Sequence, residues 1–421
     1  DPRPHLPRGI AMTFVPRALP PIRALNGLLG LLPRASLSPA ALIDRARRRT
    51  GLTDFGPDGP YDEALTVLCN ALEQEAALTP LGRLLARQML VQALACQLQL
   101  QDWLYREPAI LEAPIRHPLV IVGMPRTGTS ILHELLALDP SNRCPSTWEV
   151  AHPFPPPQSA SYASDPRIAR HARELRISEY LMPGVQNMHR MGAALPQECV
   201  AITAQVFVSM QYNTIFHVPS YTRWLEHGAD HVRSYRYHQR FLQYLQWRHR
   251  GERWVLKSPA HLWTLEALLQ VYPDACLVQT HRDPLRIVSS LASMLPTLRG
   301  AYTRAADPQS VAREWSRNCA SALDASVASR RAGAISPTRV CDIQFREFMQ
   351  DPVAEVRRLY AQFDIPFRPD FEAAIRRYLE ENPASKHGGH RHAFSDTGLD
   401  PVQERQRVSD YQDYFAVPSE D

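Results

Sequence analysis

Lysine is almost missing from this chain. Of its 47 basic residues, two are lysine, Lys257 and Lys386, and 45 are arginine. Where arginine is the general surface cation, a retained lysine marks a place that needs a compact ammonium rather than a planar fork. Chance survival of both lysines loses weight because each falls in a segment that reads as an anion site. The seven cysteines (Cys69, Cys96, Cys144, Cys199, Cys276, Cys319, Cys341) show no CxxC or other metal-ligand spacing. An odd, dispersed set in a long chain suits reduced, buried thiols in a cytoplasmic protein, and no metal is expected. No apolar run is long enough to cross a bilayer. The opening DPRPHLPRGIAMTF lacks the apolar stretch of a secretory signal. A formal net charge of +4 with no long basic run argues against nucleic acid as the main partner.

Four segments carry the pattern of strands buried on both faces: PLVIVG after His117, RWVLK (253–257), ACLVQTH (275–281) and TRVCDIQF (338–345). Helical segments separate them, which predicts an α/β fold with a parallel sheet between two helical layers. Residues 1–36, rich in Pro, Leu and Arg, read as an extended arm. Residues 37–112 read as a helical subdomain, because apolar residues recur at three- and four-residue spacing. In LSPAALIDRARRRTG, Ser38 is a cap, Pro39 opens the helix and Gly51 ends it. The remaining 113–421 form the α/β domain, interrupted at about 152–250 by a helical insertion that begins with the stiff HPFPPPQ.

The segment GMPRTGTS (123–130) leaves the first strand and opens a helix. Its spacing is that of a nucleotide-binding phosphate loop, but Thr129 stands where such loops place lysine. The backbone N–H groups and helix dipole still favour an anion, and Arg126 offers a cation. Arg126, Thr127, Gly128, Thr129 and Ser130 are therefore expected to hold a phosphate or sulfate. The stretch PRTGTSILHELLALDP, followed by Trp148-Glu149, resembles the bacterial branch of the sulfotransferases that use 3'-phosphoadenylyl sulfate (PAPS). The resemblance runs from about residue 40 to the C-terminus.

This resemblance implies a phosphate-loop sulfotransferase fold. It also implies transfer of a sulfuryl group from PAPS to a hydroxyl or amine of a small, apolar or aromatic acceptor. Arg282, beside the helix start Asp283-Pro284, and Ser290, eight residues on, then match the pair that binds the 3'-phosphate. Lys386, His387 and Gly388 in NPASKHGGHRH, with Arg391 in reach, match the loop over that phosphate, and Phe345 matches the adenine pocket. Lys257, 25 residues before Arg282, matches the lysine at the bridging oxygen and is paired with Arg126 as electrophile.

Two residues compete for the general base: His261, whose ordinary pKa suits proton abstraction near neutrality, and Glu149, close to where glutamate-using sulfotransferases place theirs. His133, His152 and His189 are further candidates. His189, Met191, Phe207 and Tyr212 in the insertion are candidate acceptor contacts, and they equally suit the core of a helical cap. A small-molecule kinase or a non-catalytic nucleotide-binding protein on the same fold are the alternatives. The missing phosphate-loop lysine opposes the first and the retention of Lys257 the second. The chain is compatible with a homo-oligomer.

Overall fold

The computed structural model describes residues 20–181, 190–304, 307–383 and 392–420. Its centre is a five-stranded, wholly parallel sheet in the order β2-β3-β1-β4-β5. The strands are β1 (Leu119–Val122), β2 (Asn142–Arg143), β3 (Arg253–Lys257), β4 (Cys276–His281) and β5 (Val340–Gln344). Four of them fall where the apolar runs predict. The fifth, β2, is a two-residue edge strand that no apolar pattern could announce.

Alternation along β1 divides the protein into two cores. Leu119 and Ile121 face a layer with Leu132, Leu136, Val356 and Phe371, and Val120 and Val122 face the opposite layer. That second core is continuous from Leu65, Leu90 and Leu94 of the N-terminal helices to Phe241 and Leu245 of the insertion. The helices of 37–112 and of 152–250 thus lack separate cores and together form one layer over one face of the sheet.

Local signals place the helix ends. Ser38 Oγ accepts from Ala41 N at 3.4 Å, and the helix Pro39–Thr50 stops at Gly51 in the left-handed region (φ 71°), as its Ser, Pro and Gly predict. Asp283 accepts from Leu285 N at 3.0 Å and starts the helix Pro284–Gly300. Among the described residues no helix is long and apolar enough to cross a membrane.

The N-terminal helix Pro80–Arg106 meets the sheet layer at a backbone contact. A Cβ at Gly82 would lie 1.9 Å from the carbonyl oxygen of Tyr302. Gly82→Ala should therefore destabilise the protein by at least about 1–3 kcal/mol through overpacking. The arm read as extended is helical over Pro20–Leu29; there a Cβ at Gly27 meets nothing within 4 Å, and Gly27→Ala should stabilise the protein by about 0.5–1 kcal/mol. Urea unfolding of the two variants checks the opposite signs.

Three imidazoles, His133, His238 and His261, are fully enclosed, and burial pushes each from its ordinary value down to about 3. Below about pH 6.5 the unfolded chain binds protons that these folded residues refuse. Stability should be fully expressed above pH 6.5 and fall by up to about 1.4 kcal/mol per pH unit per histidine between 6.5 and 3. Replacing His238 with Phe should reduce that slope in unfolding curves taken from pH 7 to 4.

Candidate active site

Because β1 lies between β3 and β4, the loops leaving these three strands open side by side at the C-terminal edge of the sheet. This is where open parallel sheets bind ligands. A cleft of about 550 Å³ lies there, lined by Arg126, Gly128, Thr129 and Ser130 of the β1 loop, Lys257 from β3 and Arg282 after β4. Phe345, following β5, and Met191 line it too.

The phosphate loop is built by close approaches. A Cβ at Gly123 would meet Thr280 Oγ1 at 2.2 Å, and one at Gly128 (φ 89°) would meet Phe345 Cδ2 at 3.2 Å. Both positions need glycine. Thr127 turns inward: its hydroxyl donates to Met124 O at 2.7 Å and lies 2.6 Å from Thr280 Oγ1. It shapes the loop and does not line the cleft.

Sequence-distant cations converge on the loop. Arg126 Nε donates to Ser290 Oγ at 3.0 Å, and Arg282 Nη1 donates to Arg126 O at 2.9 Å. Arg282 also lies over the Phe345 ring, its Cζ 4.0 Å from the centroid. Burial, and then the charge of Arg282, lower the pKa of the Arg126 guanidinium. Two half-buried guanidiniums this close favour an anion between them. Lys386, His387, Gly388, Arg391 and His189 lie outside the described residues.

Lys257 is nearly buried. Its Nζ donates to Ser130 Oγ at 3.1 Å and forms an ion pair with the Glu198 carboxylate. Glu198 lines the same cleft and was not anticipated. It stands at the N-cap position of the short helix Cys199–Thr203, 59 residues before its lysine, and no spacing in the sequence links the two.

Neither expected base reaches the cleft. Glu149 is fully buried in a structural network: Arg143 Nη1 donates to it at 2.9 Å, Ser146 N at 2.8 Å and the Tyr162 hydroxyl at 2.9 Å. It completes the capping box of the helix Thr147–Ala151. His261 lines a separate small cavity with Ser234, Asn213 and Trp263, its Nδ1 2.6 Å from the Tyr235 hydroxyl. The 3-10 turn Pro259–Leu262 after β3 directs it away from Lys257 into the core. His133 lies under the sheet with Nε2 3.2 Å from Val255 O. His152, with His171 and Glu174, brings three ligand-type atoms within 4.8 Å of one another, and it does not line the cleft. Phe207 and Tyr212 are core residues; the Tyr212 hydroxyl donates to Ala204 O at 2.7 Å.

Beyond Lys257 the cleft turns apolar. Met89 of the N-terminal layer, Met210 and Ile215 of the insertion, and Met294, Leu295 and Leu298 of the helix Pro284–Gly300 form its walls, with Tyr302 and Trp315. These residues carry ordinary core patterning, so the sequence does not distinguish them from packing.

The arrangement has close counterparts. A sulfotransferase from Mycobacterium avium, STF9, superposes with a TM-score of 0.83 at 28% identity over 91% of this chain and 98% of that one. STF1 of Mycobacterium tuberculosis gives 0.78 at 29% identity over 89% and 98%. The chain is also 26% identical over 290 residues to the omega-hydroxy-beta-dihydromenaquinone-9 sulfotransferase Stf3 of Mycobacterium bovis, spanning 63% of this chain and 67% of that protein. The model of the sulfotransferase family matches residues 118–369, which include the phosphate loop, Glu198, Lys257, Arg282 and Phe345, and the chain belongs to that family as a sulfotransferase enzyme.

Proposed function

We propose that the enzyme transfers the sulfuryl group of PAPS to a hydroxyl on an apolar, lipid-like acceptor. The observation that carries this reading is the lining of one cleft, which joins two guanidiniums, a Lys–Glu pair and a wall of Met, Leu and Ile side chains. Two anion-ready arginines fit a donor with phosphates at both ends, and the Phe345 ring fits its adenine. Walls of Met and Leu fit a flexible aliphatic chain better than a compact phenol. The relative named for an omega-hydroxylated menaquinone points the same way.

Bound donor supplies the activated sulfuryl group. Glu198 takes the proton of the acceptor hydroxyl, so that the oxygen can bond to sulfur as the sulfur–oxygen bond to the leaving phosphate breaks. Lys257 holds its ammonium against the negative charge that grows on the departing oxygen. Arg126 and Arg282 bind and orient the donor.

Glu198→Gln should lower kcat by roughly 10²–10⁴-fold while leaving PAPS affinity within a few-fold. Lys257→Arg should lose rate because a planar fork cannot replace the point charge. By contrast, His261→Gln should retain rate, and Glu149→Gln should act through stability. Single-turnover transfer from labelled PAPS to a long-chain primary alcohol, alongside donor titrations, checks all four. Full rate in Glu198→Gln would exclude it as base.

The channel has its own test. Leu298→Gln places an amide on the apolar wall. It should raise KM for long-chain alcohols, with PAPS affinity unchanged and short alcohols little affected, measured as KM against chain length in steady state.

A further inference from the structure

The anion site at the start of the helix Pro284–Gly300 is filled by the chain itself. The Glu420 carboxylate accepts paired hydrogen bonds from Arg282 Nε and Nη2, each 2.9 Å. Its backbone N–H donates to Asp283 Oδ2 at 2.7 Å, which seats it at the capped helix terminus where negative charge is favoured. Asp283 is neutralised in turn by Arg405, at 2.8 Å, and so does not repel it. One turn along the helix, Arg286 brings Nε to 3.9 Å from the same carboxylate. That is beyond hydrogen-bond reach, and among the described residues this buried N–H has no other hydrogen-bond partner.

One carboxylate therefore serves Arg282 fully and Arg286 hardly at all. A carboxylate has two oxygens and one charge. A phosphate monoester has three free oxygens and about −1.5 to −2 charge near pH 7. It can keep the fork on Arg282 and still reach a second guanidinium, as charge-assisted phosphate contacts do. Building on the reading of Arg282 as the group that meets the donor's 3'-phosphate, we propose that Glu420 is an internal occupant of that phosphate site. The 3'-phosphate displaces it, and Arg286 is a further phosphate-binding residue left underused while Glu420 is in place.

The exchange acts on both nucleotides of the reaction, because donor and desulfated product share the 3'-phosphate. A tethered competitor is always at high local concentration. It lowers affinity for both and returns to Arg282 as the product departs, which limits product inhibition.

Calorimetry on the full chain tests this, with adenosine 3',5'-bisphosphate and 5'-AMP as probes and thermal unfolding of each unliganded variant as the control for folding. Glu420→Gln should bind the bisphosphate about tenfold more tightly, the equivalent of about 1.4 kcal/mol, with 5'-AMP unchanged. Glu420→Asp, which keeps the charge and shortens the reach, should fall between and serves if the amide variant misfolds. Arg286→Ala should weaken the bisphosphate about tenfold and spare 5'-AMP. Unchanged or weaker bisphosphate binding in both Glu420 variants overturns the proposal, as does equal tightening of 5'-AMP. Arg286→Ala without effect removes Arg286 from the site. If the unaltered protein does not prefer the bisphosphate to 5'-AMP, the reading of Arg282 itself fails, and the proposal with it.

Discussion

The register of three central strands governs the site. Ile121 of β1 pairs with Lys257 of β3 and Val278 of β4. Neighbouring strands lie about 4.8 Å apart, so the phosphate loop and the ammonium leave the sheet side by side. β4 continues past that level to His281 and brings Arg282 to the loop from beyond it, where its Nη1 donates to Arg126 O. Everything else in the cleft is arranged around that row. Glu198 comes down on it from the insertion, and Phe345 closes its far side from β5. A slip of one residue in β3 would send Lys257 to the opposite face of the sheet, away from Ser130 and Glu198.

How far the site could be read in advance follows from the range of the interactions involved. Arg126, Lys257 and Arg282 are legible because each sits at a strand end with a local signature: a glycine-spaced turn, a rare lysine, an Asp-Pro helix start. The four long strands are legible for the same reason, since an apolar run is a local property. Glu198 is not, because its role comes from a contact across 59 residues, and an acidic side chain at a helix start is ordinary by itself. His261 misleads because a position four residues after the lysine does not show which way a 3-10 turn directs its side chain. Glu149 misleads because Trp-Glu after a Ser cap is also the signature of a capping box, and here Arg143 has taken the carboxylate.

Arginine abundance shapes the interior as well as the surface. Arg143, Arg299 and Arg330 each hold a carboxylate through two hydrogen bonds, with Glu149, Glu314 and Asp342 as partners. Such pairs tolerate burial because the planar fork satisfies both oxygens. Lysine gives no such pairing, and Lys257 meets the Glu198 carboxylate and the Ser130 hydroxyl with a single small charge.

The shared core has a consequence for how this enzyme can be taken apart. The helix Pro80–Arg106 packs by the bare backbone of Gly82 on Tyr302 and contributes Met89 to the cleft. The segment before β1 is thus one wall of the cleft. A chain cut to the sheet and its flanking helices would keep the phosphate loop and lose that wall. Because the N-terminal layer and the insertion share one core, the two are exchangeable between relatives only as one piece.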